Sequence, residues 1–141
     1  MSSAITVVDV IVHDNPAGFC DGFKLEVKYE SAAFLEDGLE WDLVYVGSAE
    51  SKKYDQVLAS IVIGPVAKGR HQFMLEANSP DASKIPISDI LEPTILLLIG
   101  SYQKEEFIRI CWIVVNEYND AKLREEPPAI PIIEKVYLIL L

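Results

Sequence analysis

The sequence is short of cations, cysteine and histidine, and it has no long apolar run. Twelve Lys and Arg stand against 22 Asp and Glu, a formal net charge of −10. Direct DNA or RNA binding is therefore not expected, because phosphate contacts need a basic surface. The charge suits a basic protein partner, and it equally serves solubility, the plainer reading of charge alone. The two cysteines, Cys20 in a turn-like stretch and Cys111 in a strand, flank Trp41 in the order of a secreted immunoglobulin domain. They lie too far apart in sequence for the usual bridge, so two free thiols in a reducing compartment are expected. The histidines, His13 and His71, sit in separate segments beside no Cys, which excludes a zinc site. The apolar stretches at 94–100 and 136–141 are too short to span a bilayer, so no membrane partner is expected. Met1-Ser2-Ser3-Ala4-Ile5 has neither the basic region nor the apolar run of a signal peptide. An intracellular, soluble protein follows.

Catalytic patterns are also lacking. Gly47-Ser48-Ala49-Glu50-Ser51 misses the last glycine of a nucleophile elbow, and no helix pattern follows it. No phosphate-cradling glycine loop is present, and Asp14-Asn15-Pro16 is a turn rather than a calcium loop. His71 reads as a strand residue with a satisfied hydrogen bond. Neither enzyme activity nor a cofactor is expected.

What the chain does have is alternation. Half of its 141 residues are hydrophobic and 24% are charged, the composition of one globular domain over 1–141. Such a domain buries roughly two-thirds of its unfolded surface and needs no disulfide or metal. Period-two patterns predict strands at 4–12, 22–30, 39–46, 57–63, 70–76, 94–102, 105–115 and 132–141. Residues 103–104 turn a hairpin. Residues 31–38 have room for one helical turn, 48–56 read as a loop, 87–91 hold one helical turn and 120–124 a short helix. The fold class is an all-β, immunoglobulin-like antiparallel sandwich with short helical turns in its connectors.

Parity then assigns faces. Trp41, Leu43 and Tyr45 share one face of their strand, and Trp41 is the largest core anchor of the first half. Glu40, Asp42, Val44 and Val46 share the other, acidic at one end and aliphatic at the other. In the hairpin, Ile108, Ile110, Trp112 and Val114 oppose Phe107, Arg109, Cys111 and Ile113. With Leu96 and Trp112 in the core, Ile95, Leu97, Arg109 and Ile113 lie outside, where Val46 can join them. Such a face is either a docking surface or covered by a loop or terminal segment, and parity is compatible with both.

A series of motifs runs in order along the chain. They are Asp14-Asn15-Pro16, Leu39-Glu40-Trp41, Tyr45-Val46-Gly47-Ser48-Ala49-Glu50-Ser51, Tyr54-Asp55-Gln56-Val57-Leu58, Gly64-Pro65-Val66 and Gly69-Arg70-His71. Glu106-Phe107-Ile108-Arg109, Asn116-Glu117-Tyr118 and Leu123-Arg124-Glu125 before Pro127-Pro128 follow. Together they resemble the anti-silencing-function family of histone chaperones over nearly the whole chain. The resemblance implies a nuclear, monomeric chromatin regulator that binds one histone H3–H4 dimer on a concave sheet face. It would block tetramer formation and pass histones to deposition factors in nucleosome assembly and transcription regulation. The positions it implies for histone contact are Val46, Asp55, Asp89, Ile95, Leu97, Arg109 and Ile113. For co-chaperone contact they are Glu36, Asp37, Ile61, Ile63 and Phe73. The sequence departs from the family pattern at Ile113, where a Tyr is usual, and at Gly38, where the second acid of a pair would align. The family core also continues past the equivalent of Leu141 with a strand that pairs with the histone H4 tail, so weakened H4 capture is expected. The alternative is a divergent relative acting as an adaptor for co-chaperones, with weakened histone binding.

Overall fold

The computed structural model describes residues 4–48 and 52–141. The expected readings of Met1-Ser2-Ser3 and of Ala49-Glu50-Ser51 lie outside the described residues.

Among the described residues nine strands form two antiparallel sheets. The three-stranded sheet runs β1 (Ile5–Val12), β3 (Phe23–Ser31), β6 (Gly69–Ala77). The six-stranded sheet runs β2 (Ala17–Gly18), β9 (Val136–Leu140), β8 (Glu105–Tyr118), β7 (Thr94–Tyr102), β4 (Leu39–Val46), β5 (Asp55–Ile63). The expected all-β sandwich is what forms. Alternation explains the elements: every second residue of β3 and β4 is buried, and the polar or smaller aliphatic residues between them face out.

Trp41 joins the two sheets. It is fully buried, and its ring lies 5.7 Å from Tyr29 and 5.3 Å from Phe73 of the small sheet, and 5.5 Å from Phe107 of its own. Truncating such a side chain costs about 3–5 kcal/mol. His71 stacks on Tyr29 and its Nε2 meets the Ala67 carbonyl at 2.6 Å, the satisfied strand residue expected. Gln103 and Lys104 turn the β7–β8 hairpin with φ of 49° and 65°, as a tight two-residue turn requires. The short helix appears as α1 (Ala121–Glu125), and Ile87–Asp89 forms a 3-10 turn.

Several boundaries differ from expectation. Residues 31–38 hold no helical turn, because the main chains of Leu35 and Val66 exchange two hydrogen bonds of 2.9 Å and keep the connector extended. The loop assigned to 48–56 ends early: a 3-10 turn at Lys52–Tyr54 leads straight into β5, so Asp55 and Gln56 are strand residues paired with Val46 and Tyr45. β8 runs three residues past 115 because β9 pairs with it from Val114 to Tyr118. Its polar Asn116 is buried there, donating to the Tyr45 hydroxyl (3.0 Å) and to the Ile90 carbonyl (3.1 Å). Phe107 packs on the core rather than outside, because the β7–β8 register shifts beside Gly100. A Cβ at Gly100 would sit 2.7 Å from the Phe107 ring, so only glycine leaves room for it.

Candidate protein-docking site

The outer face of the six-stranded sheet is built by strand register. Val44 of β4 pairs with Leu97 of β7 and Val57 of β5, and Leu97 pairs with Cys111 of β8. One step towards the β4–β5 turn, Val46 pairs with Asp55, and Ile95 pairs with Ile113. One step the other way, a file runs Ser60, Asp42, Ile99, Arg109. The face is thus aliphatic at its centre, with acids on the β4–β5 side and one cation on β8.

No described loop or terminal segment covers it. Ile95 is 37% exposed, Ile113 54% and Val57 64%, whereas Leu97 at 8% is sheltered by its neighbours on the sheet. Leu97 is absent from the main core cluster, so its burial belongs to this outer face. Val46 is half-buried and its carbonyl accepts from the Thr94 hydroxyl at 2.6 Å, which ties the two strand ends together. Arg109 is exposed and bonds Glu106 through Nη2 (2.8 Å) and Nε (3.2 Å). That hydrogen bond, then the charge of Glu106, raises the pKa of the guanidinium. Asp89 ends the Ile87–Asp89 turn beside Ser88, Ser48 and Glu92, in a hollow that opens next to Thr94.

A second set of residues lies at the sandwich edge. β5 and β6 are the edge strands of their sheets. Ile61 and Ile63 of β5 and Phe73 of β6 are half-buried and pack on the core there. The connector holding Glu36 and Asp37 leads into β4, whose first residue, Leu39, pairs with Ile63. Glu36 is exposed, while Asp37 accepts a 2.8 Å hydrogen bond from Gln103 Nε2. Gly38 is a close-approach position: a Cβ there would meet Val62 Cγ1 at 2.6 Å and the Ile63 carbonyl oxygen at 3.1 Å.

A sequence profile described as ASF1-like histone chaperone matches residues 2–141. This chain belongs to that family. It is 51% identical over 134 residues to histone chaperone ASF1B of Arabidopsis thaliana, covering 95% of this chain and 62% of that protein. It is 49% identical over 136 residues to a probable histone chaperone asf-1-like protein of Caenorhabditis elegans, covering 96% of this chain and 56% of that one. It is 46% identical over 132 residues to histone chaperone asf1 of Drosophila melanogaster, covering 94% and 61%. The chain therefore spans little more than half the length of several relatives it matches.

Of the sequence-derived positions on the ASF1-like sheet face, the structure brings Val46, Asp55, Ile95, Leu97, Arg109 and Ile113 onto one surface, with Asp89 at its end. Glu36, Asp37, Ile61, Ile63 and Phe73 lie apart from these, at the edge where the two sheets part. The site reasoning left out Val57, Val44, Asp42, Ile99 and Cys111. Parity already put Val44, Asp42 and Cys111 outside, and Ile99 on the same side as Ile95 and Leu97. Val57 was hidden by the register shift between β4 and β5, which puts Val57 rather than Leu58 opposite Val44.

Proposed function

We propose that this protein is a histone chaperone that holds one H3–H4 dimer on the outer face of its six-stranded sheet and so blocks tetramer formation. The observation that carries the reading is the pair of exposed aliphatic side chains Ile95 and Ile113 beside half-buried Val46 and buried Leu97, in a member of a histone chaperone family with a net charge of −10. A histone helix would lay its apolar stripe on that centre, as in helix-in-groove recognition. Asp55 and Asp89 would meet histone Lys or Arg, and Arg109 a histone acid. The aliphatic centre would supply most of the affinity, and the acids mainly the rate of encounter. On this reading residues 1–141 act as one domain, as a monomer, in the nucleus and without enzymatic activity, and pass histones to deposition factors.

The co-chaperone part of the proposal rests on the β5–β6 edge, where Ile61, Ile63 and Phe73 offer apolar contact and Glu36 an exposed acid. Asp37 would have to give up Gln103 to take part. Size-exclusion with multi-angle scattering on a mixture with purified H3–H4 tests the main reading. A complex of one chain with one H3–H4 dimer is expected. Elution of intact histone tetramer beside free protein would refute it. Absent histone binding together with capture of a co-chaperone peptide would support the adaptor reading instead.

A further inference from the structure

The two acids at the β5–β6 edge differ in one respect. Glu36 is exposed and pairs with nothing among the described residues, whereas Asp37 is held: its Oδ2 accepts the 2.8 Å hydrogen bond from Gln103 Nε2, 66 positions along the chain. Strand pairing creates this meeting. Leu39 at the start of β4 pairs with Tyr102 at the end of β7, so the connector before Leu39 runs beside the hairpin tip after Tyr102. The connector's backbone is fixed on both sides of Asp37, by the Leu35–Val66 hydrogen bonds and by the packing of Gly38 against the Ile63 carbonyl. Both side chains of the contact are exposed, so it opens by side-chain rotation alone. The tip breaks a local rule as well. Gln103 and Lys104 both hold positive φ, in a turn that favours asparagine and glycine. A long side chain is kept at 103 against that backbone preference, and it is the one that reaches Asp37.

We propose that Gln103 is a latch on the co-chaperone site: it occupies Asp37 in the free protein and yields it to a cationic side chain of the partner. The inference rests on the co-chaperone reading above and supplies the regulation of that site. A neutral donor from a partner would only replace the Gln103 amide, with no net gain. An arginine adds charge attraction and a second donor to the same carboxylate. The partner therefore brings arginine to Asp37 and apolar residues to Ile61, Ile63 and Phe73. Asp37 is competent only while the latch is open, so the apparent dissociation constant is the intrinsic one divided by the open fraction. A single hydrogen bond between exposed side chains keeps the latch closed by a factor of about five. The latch thus weakens the site without altering its surface, and a change at the hairpin tip resets its affinity.

The test uses the full chain and a fluorescent synthetic peptide with two arginines beside alternating isoleucines. It is titrated with wild type, Gln103→Gly, Asp37→Ala and the double variant. Glycine suits the positive φ at 103, so the hairpin keeps its turn. Gln103→Gly is expected to tighten binding about fivefold, Asp37→Ala to weaken it, and the double variant to bind like Asp37→Ala alone. Unchanged or weaker binding by Gln103→Gly, with Asp37→Ala still weakening it, overturns the latch and leaves the co-chaperone edge standing. A gain from Gln103→Gly that persists in the double variant assigns the effect to the hairpin backbone and also overturns the latch. Failure of both wild type and Gln103→Gly to bind refutes the co-chaperone reading, and the latch falls with it.

Discussion

Ile95→Arg is the sharpest probe of the docking face. Ile95 is 37% exposed in the free protein, beside Ile113 on the next strand. There an arginine can lay its stem over Ile113 and keep its head in water, so the fold should lose no more than about 0.5–1 kcal/mol. The bound state differs. The mutation removes the remaining apolar burial of Ile95 and traps a cation against an aliphatic helix stripe. Desolvating an unpaired charge adds several kcal/mol even after partial relief, so a total loss of about 3 kcal/mol is a low figure. That is a loss of more than about hundredfold in affinity. Ile95→Ala gives the graded control, losing burial alone, about 1 kcal/mol or roughly fivefold. Thermal melts confirm that each variant folds, and titration against labelled H3–H4 reads affinity. An Ile95→Arg protein that melts like wild type and still binds within about twofold would mean that histones dock elsewhere.

Cys111 is exposed on the same face, opposite Leu97, while Cys20 lies in the Phe19–Asp21 turn. Bound H3–H4 should therefore protect Cys111 from maleimide and leave Cys20 reactive, as mass spectrometry of the labelled peptides would show; equal labelling of both would argue against the face. The Tyr45 phenol is pushed above its ordinary pKa by burial, partly countered by its hydrogen bond from Asn116. Its proton is held more tightly folded than unfolded, so stability is intact below about pH 10 and falls as pH climbs towards the raised folded value. Tyr45→Phe should flatten that alkaline decline in urea melts and cost about 1 kcal/mol at neutral pH; an unchanged slope would refute the assignment. Gly38→Asp is expected to destabilise by about 1–3 kcal/mol, because its Cβ meets Val62 and the Ile63 carbonyl. Val62→Ala should recover part of that loss, and additive losses in the double mutant would exclude the clash.

Much of this architecture is legible from parity, and the failures share a cause. Alternation placed Trp41, Leu43 and Tyr45 inside and Val44 and Val46 outside, because β4 itself alternates without a break and the extra residue of the β4–β5 pair lies on β5. Parity put Phe107 on the wrong face and assigned no face to Val57, and each stands beside a register shift set by a partner strand. A shift by one residue exchanges faces and leaves no local mark on the sequence. Boundaries failed at Asp55 and Asn116 for a related reason. Both are polar, and tertiary pairing rather than their own propensity makes them strand. The departure at Gly38 was visible as a missing acid, but its steric reason required Val62 and Ile63 in space.

An open aliphatic sheet face raises the question of why free copies would not stack or zip together. The edges offer one answer. Where β9 meets solvent beyond the two-residue β2, the Asn15 amide takes the place of a strand: Nδ2 donates to the Leu140 carbonyl (2.8 Å) and Oδ1 accepts from its N–H (3.0 Å). That edge is closed to strand addition at Leu140. At the other end of the sheet, β5 presents Asp55 and a register irregularity, both of which disfavour a flat edge-to-edge pair. On the docking reading, the charge of −10 would oppose the approach of a second copy at longer range and favour a basic partner. On that reading the acids along β4 and β5 would act twice: they would oppose the aliphatic face meeting itself, and they would favour an occupant that brings its own cations.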